Sequence, residues 1–242
     1  MADKRVTIRL EGLPSKYTEG SLSHYLKDKA PIPTGSSELD EALSGGWPRH
    51  EVIYIQGDPA SGKSSLCEET AVRFLKSGGD LVVFASLQGE HPLPGFAERV
   101  PDGVLIVTAT DLPSVFKIVE TILSSRAFKD VLVIVDDLPS LLGGHVAYMA
   151  VSQALTRIRR FLRSTLTLML VNQTREFGGE EYGASAYRQA YRVASVAVHI
   201  GEPTPIGGEP PTGFTARATF LAPERLTGDT RDITVVYGRG VV

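Results

Sequence analysis

The segment Gly57-Asp58-Pro59-Ala60-Ser61-Gly62-Lys63-Ser64 constrains the fold more than any other feature of the chain. It satisfies the spacing G-x-x-x-x-G-K-[ST]. Before it runs an apolar stretch, 51–56 (EVIYIQ), and after it a stretch of helical spacing, 63–76. A buried strand, a glycine-rich turn and a helix are the context in which this spacing makes a phosphate-binding loop. Glycines let the backbone wrap closely, so that its N–H groups point at phosphate oxygens. Lys63 places a cation on the β and γ phosphates, Ser64 supplies a hydroxyl for Mg2+, and the helix start adds the positive end of its dipole. The sequence thus predicts a site for ATP, or a closely related triphosphate, made by Gly57 through Ser64 with the adjoining Ser65. A second element belongs with it. Residues 131–135 (VLVIV) read as a strand covered on both faces, and Asp136 ends it. A carboxylate there suits a contact through water to Mg2+ beside Ser64, and the adjacent Asp137 is the alternative.

Strand and helix patterns alternate through the first two-thirds of the chain, which predicts α/β architecture with a parallel sheet and helices on both faces. Strands are expected at 51–56, 81–87, 104–108, 131–135 and 167–171. Helices are expected at 36–43, 63–76, 112–125 and 146–163. Residues 174–186 read as a loop. The last third is strand-rich (193–200, 216–221, 232–237, with a Gly/Pro-rich turn at 202–213), so antiparallel additions at the sheet edge are expected. Residues 1–33 are polar, with prolines at 14, 31 and 33 and a short alternating stretch at 6–10. They read as an N-terminal arm or cap on a core spanning 34–242.

Composition narrows the function classes. With 242 residues and 42% hydrophobic content the chain can bury a sizeable core. A net charge of -3 means that contact with a polyanion must come from a local patch. A single cysteine, Cys67, excludes an internal disulfide and fits a reducing cytoplasm. No stretch approaches the length of apolar sequence that a membrane-spanning helix needs, so no membrane role is expected.

Beyond the phosphate loop, the sequence resembles the RecA family from Pro33 to the end. Thr34-Gly35-Ser36-x-x-Leu39-Asp40, followed by Gly45-Gly46-Trp47-Pro48, is similar to that family's entry to its phosphate-loop strand. Ser152-Gln153-Ala154, Asn172-Gln173, Ala194-Ser195-Val196 and Tyr237-Gly238-Arg239-Gly240 look like later stretches of the same family. The resemblance implies a RecA-type P-loop NTPase core, ATP at subunit interfaces, assembly in a helix or ring, and work on DNA. It makes Gln173 the γ-phosphate sensor that reports to the loop after it, and it sets Tyr237 beside the adenine.

The chain also departs from that family. Where RecA-type ATPases carry the glutamate that activates water, an ungapped comparison puts Gln88. A glutamine orients water but cannot accept its proton. Glu90 stands two residues on and is the alternative, so slow turnover is expected. The first DNA loop is short, with only 143–148 before the helix. The lysine pair by which a RecA neighbour reaches ATP is unmatched, Leu221 and Pro223 standing in its place. Arg175, Arg188 and Arg192 flank the second DNA loop and are candidate contacts for single-stranded DNA, although Glu176, Glu180 and Glu181 lie within it. Three functions stay open. One is a RecA-like ATP-binding protein of DNA recombination, repair or damage tolerance, assembling with itself or with a recombinase or repair protein. Another is a non-hydrolysing adaptor for a recombinase or polymerase. The last is a helicase-like or clock-like ring ATPase.

Overall fold

The structure, a computed structural model, describes residues 30–86, 96–99, 103–108, 111–136, 153, 155–162, 164–173, 176–177, 180–181, 193–236 and 240–241. Most of the expected N-terminal arm therefore lies outside the described residues. Pro31–Val242 makes one compact unit. Its first residues already belong to the core: Ile32 is buried and pairs with Trp47 through reciprocal backbone hydrogen bonds of 2.8 Å. The elements follow as α1 (Ser37–Ala42), β1 (Val52–Gly57), α2 (Lys63–Lys76), β2 (Leu81–Ser86), α3 (Phe96–Arg99), β3 (Val104–Thr108) and α4 (Leu112–Ser124). Then come β4 (Val131–Val135), β5 (Leu166–Gln173), β6 (Glu176–Phe177), β7 (Glu180–Glu181), β8 (Val196–Ile200) and β9 (Thr204–Ile206). The last are β10 (Gly213–Ala222), β11 (Thr230–Val236) and β12 (Gly240–Val241).

Among the described residues one sheet runs β12-β11-β10-β8-β1-β5-β4-β2-β3, with β9 added against β10. The strands from β8 to β3 are mutually parallel. Those from β9 to β12 add antiparallel to β8 and to one another. The result is the mainly parallel α/β sheet with antiparallel C-terminal strands expected from the sequence. Side chains alternate across the sheet, and the strands feed two cores. Ile53, Ile55, Phe84, Ile134, Met169 and Val198 pack under α2 with Trp47. Val52, Tyr54, Val83, Val133, Leu168 and Leu170 pack under α4 and the helical residues Leu155 and Ile158. The long apolar runs of β1, β2 and β4 follow from this double cover.

Three local expectations are corrected. The helix expected to reach 163 gives way to turns at 159–162, where the Phe161 carbonyl accepts the amides of Thr165 and Leu166 as the chain turns into β5. The loop expected at 174–186 contains the antiparallel pair β6–β7. The Gly/Pro-rich turn at 202–213 contains β9, whose ladder is supplied by β10.

Candidate functional site

The phosphate loop closes between the end of β1 and the start of α2. Gly62 caps α2 at φ 94, in the left-handed region that favours glycine. A Cβ there would press on the Phe214 ring at 3.0 Å and on Val235 at 3.3 Å. Gly57 is required for space: a Cβ would lie 2.2 Å from the Ile200 carbonyl oxygen of β8. Ser61 donates its amide to the Asp58 carbonyl at 3.2 Å, and Leu66 donates to the Gly62 carbonyl at 2.9 Å. These bonds start the helix directly after the loop. Lys63 is buried, and its Nζ donates to the Asp58 carbonyl and, at 3.3 Å, to Ser61 Oγ. The ammonium is thus folded back over the loop, where an incoming anion would meet it.

Strand alternation brings further polar groups to the same side. Val82 and Phe84, Leu132 and Ile134, and Met169 and Val171 all face the α2 core. Two residues further along each strand, Ser86, Asp136 and Gln173 therefore fall on that face, at the carboxyl ends of the adjacent strands β2, β4 and β5. Asp136 is buried, and its amide donates to the Ala85 carbonyl at 2.9 Å, which extends β4 along β2 by one residue. Gln173 is half-buried and stands in register with Gly57, the first residue of the loop. Asn172, paired with Gln56, faces the opposite side. Cys67, one turn into α2, reports the same neighbourhood. Burial pushes its thiol well above the usual range, and the Asp136 and Glu68 carboxylates push it further, against the pull of Lys63. Ser86 is hidden in the sequence, because Leu87 continues the apolar run past it.

One ion-pair network and one set of hydrogen bonds steady this end of the molecule. Arg99 of α3 donates to Glu69 at 2.7 Å and lies 3.7 Å from Glu68, while Arg73 donates to Glu69 at 2.7 Å. These contacts pin α3 against α2. The entry motif is held by its own side chains: the Thr34 amide donates to Asp40 at 2.7 Å, and Trp47 Nε1 donates to Thr70 of α2 at 3.1 Å. Thr34, Asp40 and Trp47 thus have structural work in this fold.

The donor set fits a triphosphate with Mg2+. The loop is shaped by two glycines whose Cβ positions are already filled, with Lys63 over it. Asp136 adds one buried carboxylate at the carboxyl end of β4. Mg2+ is ordinarily held by one or two carboxylates together with phosphate oxygens. Among the described residues no cluster of three or more His, Cys, Asp or Glu side chains could hold a metal ion. Several expected site residues lie outside the described residues: Gln88, Glu90, Asp137, Arg175, Arg188, Arg192 and Tyr237. No helix among the described residues is long and apolar enough to cross a membrane.

Comparison with known proteins agrees with this geometry. A family model described as ATPase: KaiC matches residues 32–100. The RecA protein of Thermus thermophilus is 30% identical over 237 residues, covering 87% of this chain and 68% of that protein. RecA of Streptomyces ambofaciens is 32% identical over 171 residues, covering 63% of this chain and 45% of its own length. RecA of Clavibacter michiganensis is 28% identical over 204 residues, with 75% and 55% covered. The chain spans about half the length of these last two. On the phosphate loop, the sheet order and the extent of the Thermus alignment, this chain belongs to the RecA family.

Proposed function

We propose that this chain binds Mg-ATP on the loop Gly57 to Ser64 and acts in DNA recombination, repair or damage tolerance, with nucleotide state setting its assembly and its contact with single-stranded DNA. The observation that carries the reading is the meeting of the α2 start with Ser86, Asp136 and Gln173 on one sheet face. Bound nucleotide with its Mg2+ supplies an activated terminal phosphoryl group. Toward it Lys63 offers a fixed ammonium, and the loop amides offer hydrogen bonds. Ser64 would hold the ion through its hydroxyl oxygen, and Asp136 through water bound to the ion. Ser65 joins the loop at the first turn of α2, and Tyr237 is the proposed contact for the adenine. Gln173, in register with Gly57, is the proposed sensor of the phosphate end, passing that state to the segment after β5. Gln88 is suited to orient water, and Glu90 is suited to take its proton. Turnover is expected to be slow. Arg175, Arg188 and Arg192 are the proposed contacts for the DNA backbone.

The test is titration of a fluorescent ATP analogue against the protein and its Lys63→Ala variant. Hydrogen bonds to charged groups contribute about 1.5–3 kcal/mol, so affinity should fall about tenfold to hundredfold. Unchanged affinity would remove the site assignment. Gln88→Glu should raise turnover if water activation is what limits it. If turnover is unchanged, Glu90 is the base. The presence of Gln88 also favours a second reading, a non-hydrolysing adaptor that recruits a recombinase or polymerase. Single-turnover hydrolysis with and without single-stranded DNA separates the two, because a DNA-stimulated rate belongs only to the first. Electron microscopy with an ATP analogue distinguishes filaments on DNA from the closed rings of a helicase-like or clock-like ATPase.

A further inference from the structure

At the amino ends of the parallel strands, the opposite end of the sheet from the phosphate loop, lies a groove of about 630 Å3. Leu123 at the end of α4, Phe128 ahead of β4 and Phe161 ahead of β5 give it an apolar floor. Arg126, Lys129 and Arg160 line it as well, and among the described residues no carboxylate does. Arg126 and Lys129 are exposed and make no ion pair among the described residues. The backbone beneath them is held firmly. The amides of Lys129 and Asp130 donate to the Asp80 carboxylate at 2.7 and 3.0 Å, and Ser125 Oγ accepts the Ala127 amide at 3.3 Å. Arg160 lies over the Phe161 ring at 4.7 Å and donates to Glu120, at the edge of the groove, at 2.8 Å.

We propose that this groove docks a short acidic segment of a partner protein, with one apolar side chain on the Leu123–Phe128–Phe161 floor and carboxylates on Arg126, Lys129 and Arg160. Charge complementarity selects that occupant. Three cations converge on one small concavity in a chain whose net charge is -3. Arg160 already binds a carboxylate there, and its planar fork of N–H donors can serve a second one. A nucleic acid fits less well. The Arg160 guanidinium covers a face of the Phe161 ring that a base would need for stacking. The floor favours an apolar anchor, as in peptide recognition where a few buried side chains carry the affinity. Because the groove and the phosphate loop lie at opposite ends of the sheet, the partner and the nucleotide can be held together. The proposal does not depend on the nucleotide reading.

Fluorescence anisotropy of the full chain tests it with three probes. The first is a labelled synthetic peptide of Asp and Glu residues around a central Phe-Leu pair. The second is the same peptide with Lys for every acid, and the third is labelled oligo-dT. The acidic peptide should bind saturably and more weakly as salt rises. The lysine peptide should not bind. Arg126→Asn combined with Lys129→Glu should weaken the acidic peptide about tenfold, whereas Lys129→Arg should keep its affinity. Asn is chosen because residue 126 has a φ of 56, which Asn tolerates. Both positions are exposed, so the variants should melt with the parent and bind the ATP analogue equally well. Failure of the acidic peptide to bind saturably, equal binding by the lysine peptide, or unchanged binding in the double variant would overturn the proposal. So would a loss of oligo-dT binding in the double variant without loss of peptide binding, which would make the groove a nucleic-acid site.

Discussion

Replacing Gly57 by alanine tests whether β1 and β8 must approach as closely as they do beneath the phosphate loop. The new Cβ would stand 2.2 Å from the Ile200 carbonyl oxygen and 3.0 Å from Ser61 Oγ. A carbon ordinarily rests about 3.3 Å or more from a carbonyl oxygen, so the strands must part locally by about 1 Å. Neither strand is free to do so, because Gly57 is in register with Ile200 on one side and with Gln173 on the other. Overpacking of this kind costs about 1–3 kcal/mol, and each ladder hydrogen bond broken adds about 1 kcal/mol. The expected loss is about 2–4 kcal/mol, a fall of roughly 5–15 °C in Tm for a domain of this size. Gly78→Ala is the control. Gly78 has a φ of 87 but nothing within 4 Å of its Cβ position, so only the left-handed backbone cost of about 1–2 kcal/mol applies. Ser61 Oγ also accepts from Lys63 at 3.3 Å. Gly57→Ala should therefore weaken binding of the ATP analogue, while Gly78→Ala should leave it alone. Thermal unfolding followed by circular dichroism, with a nucleotide titration on each variant, reads both effects. A Gly57→Ala protein that melts at or above Gly78→Ala would refute the argument from space.

Asp130 is buried and accepts from Arg49, also buried, and from His50 at 3.2 Å. Asp130→Asn removes the charge facing that guanidinium, which keeps its hydrogen bonds to Ser77, and should cost about 1.5–3 kcal/mol in urea unfolding; a midpoint equal to the parent's would count against the pair. The Cys67 thiol titrates above its ordinary value in the folded protein. Its stabilising share is therefore complete below the unfolded thiol's pKa of about 8.5 and is lost as pH rises toward the folded value. Stability should decline in that alkaline range, and Cys67→Ala should flatten the decline; the same slope in both proteins would exclude the thiol as its source. Arg188→Ala and Arg192→Ala should each reduce the salt dependence of oligo-dT affinity, by about 0.7 in the log–log slope for each phosphate no longer neutralised. Unchanged slopes would place the DNA-binding residues elsewhere.

Much of the site is legible along the chain because its signals are local. A glycine-rich turn between an apolar run and a helical one is enough to locate Gly57–Ser64. The helix Lys63–Lys76 and the strands Val104–Thr108 and Val131–Val135 follow from periodicity with the bounds the structure has. Asp136 is legible as a polar residue ending an apolar strand, whereas Gln173 is reached only through the resemblance to the RecA family. The strand β9 is not, because Thr204-Pro205-Ile206 has no pattern of its own and owes its conformation to pairing with β10. The β6–β7 pair is hidden for the same reason, among glycines and glutamates that read as a loop.

The linear order of residues determines where this protein turns, where it buries its chain, and where it gathers a cation and hydroxyls at the head of a helix. Only the tertiary structure decides that β1 lies between β5 and β8, so that Gly57 abuts Ile200 and Gln173 stands beside the loop. It alone brings Arg99 to Glu69 and gathers Arg126, Lys129 and Arg160 around one apolar floor. The division has a physical reason. Turn chemistry and periodicity are set by neighbours along the chain, whereas strand order and side-chain convergence are set by packing between segments that the chain keeps far apart.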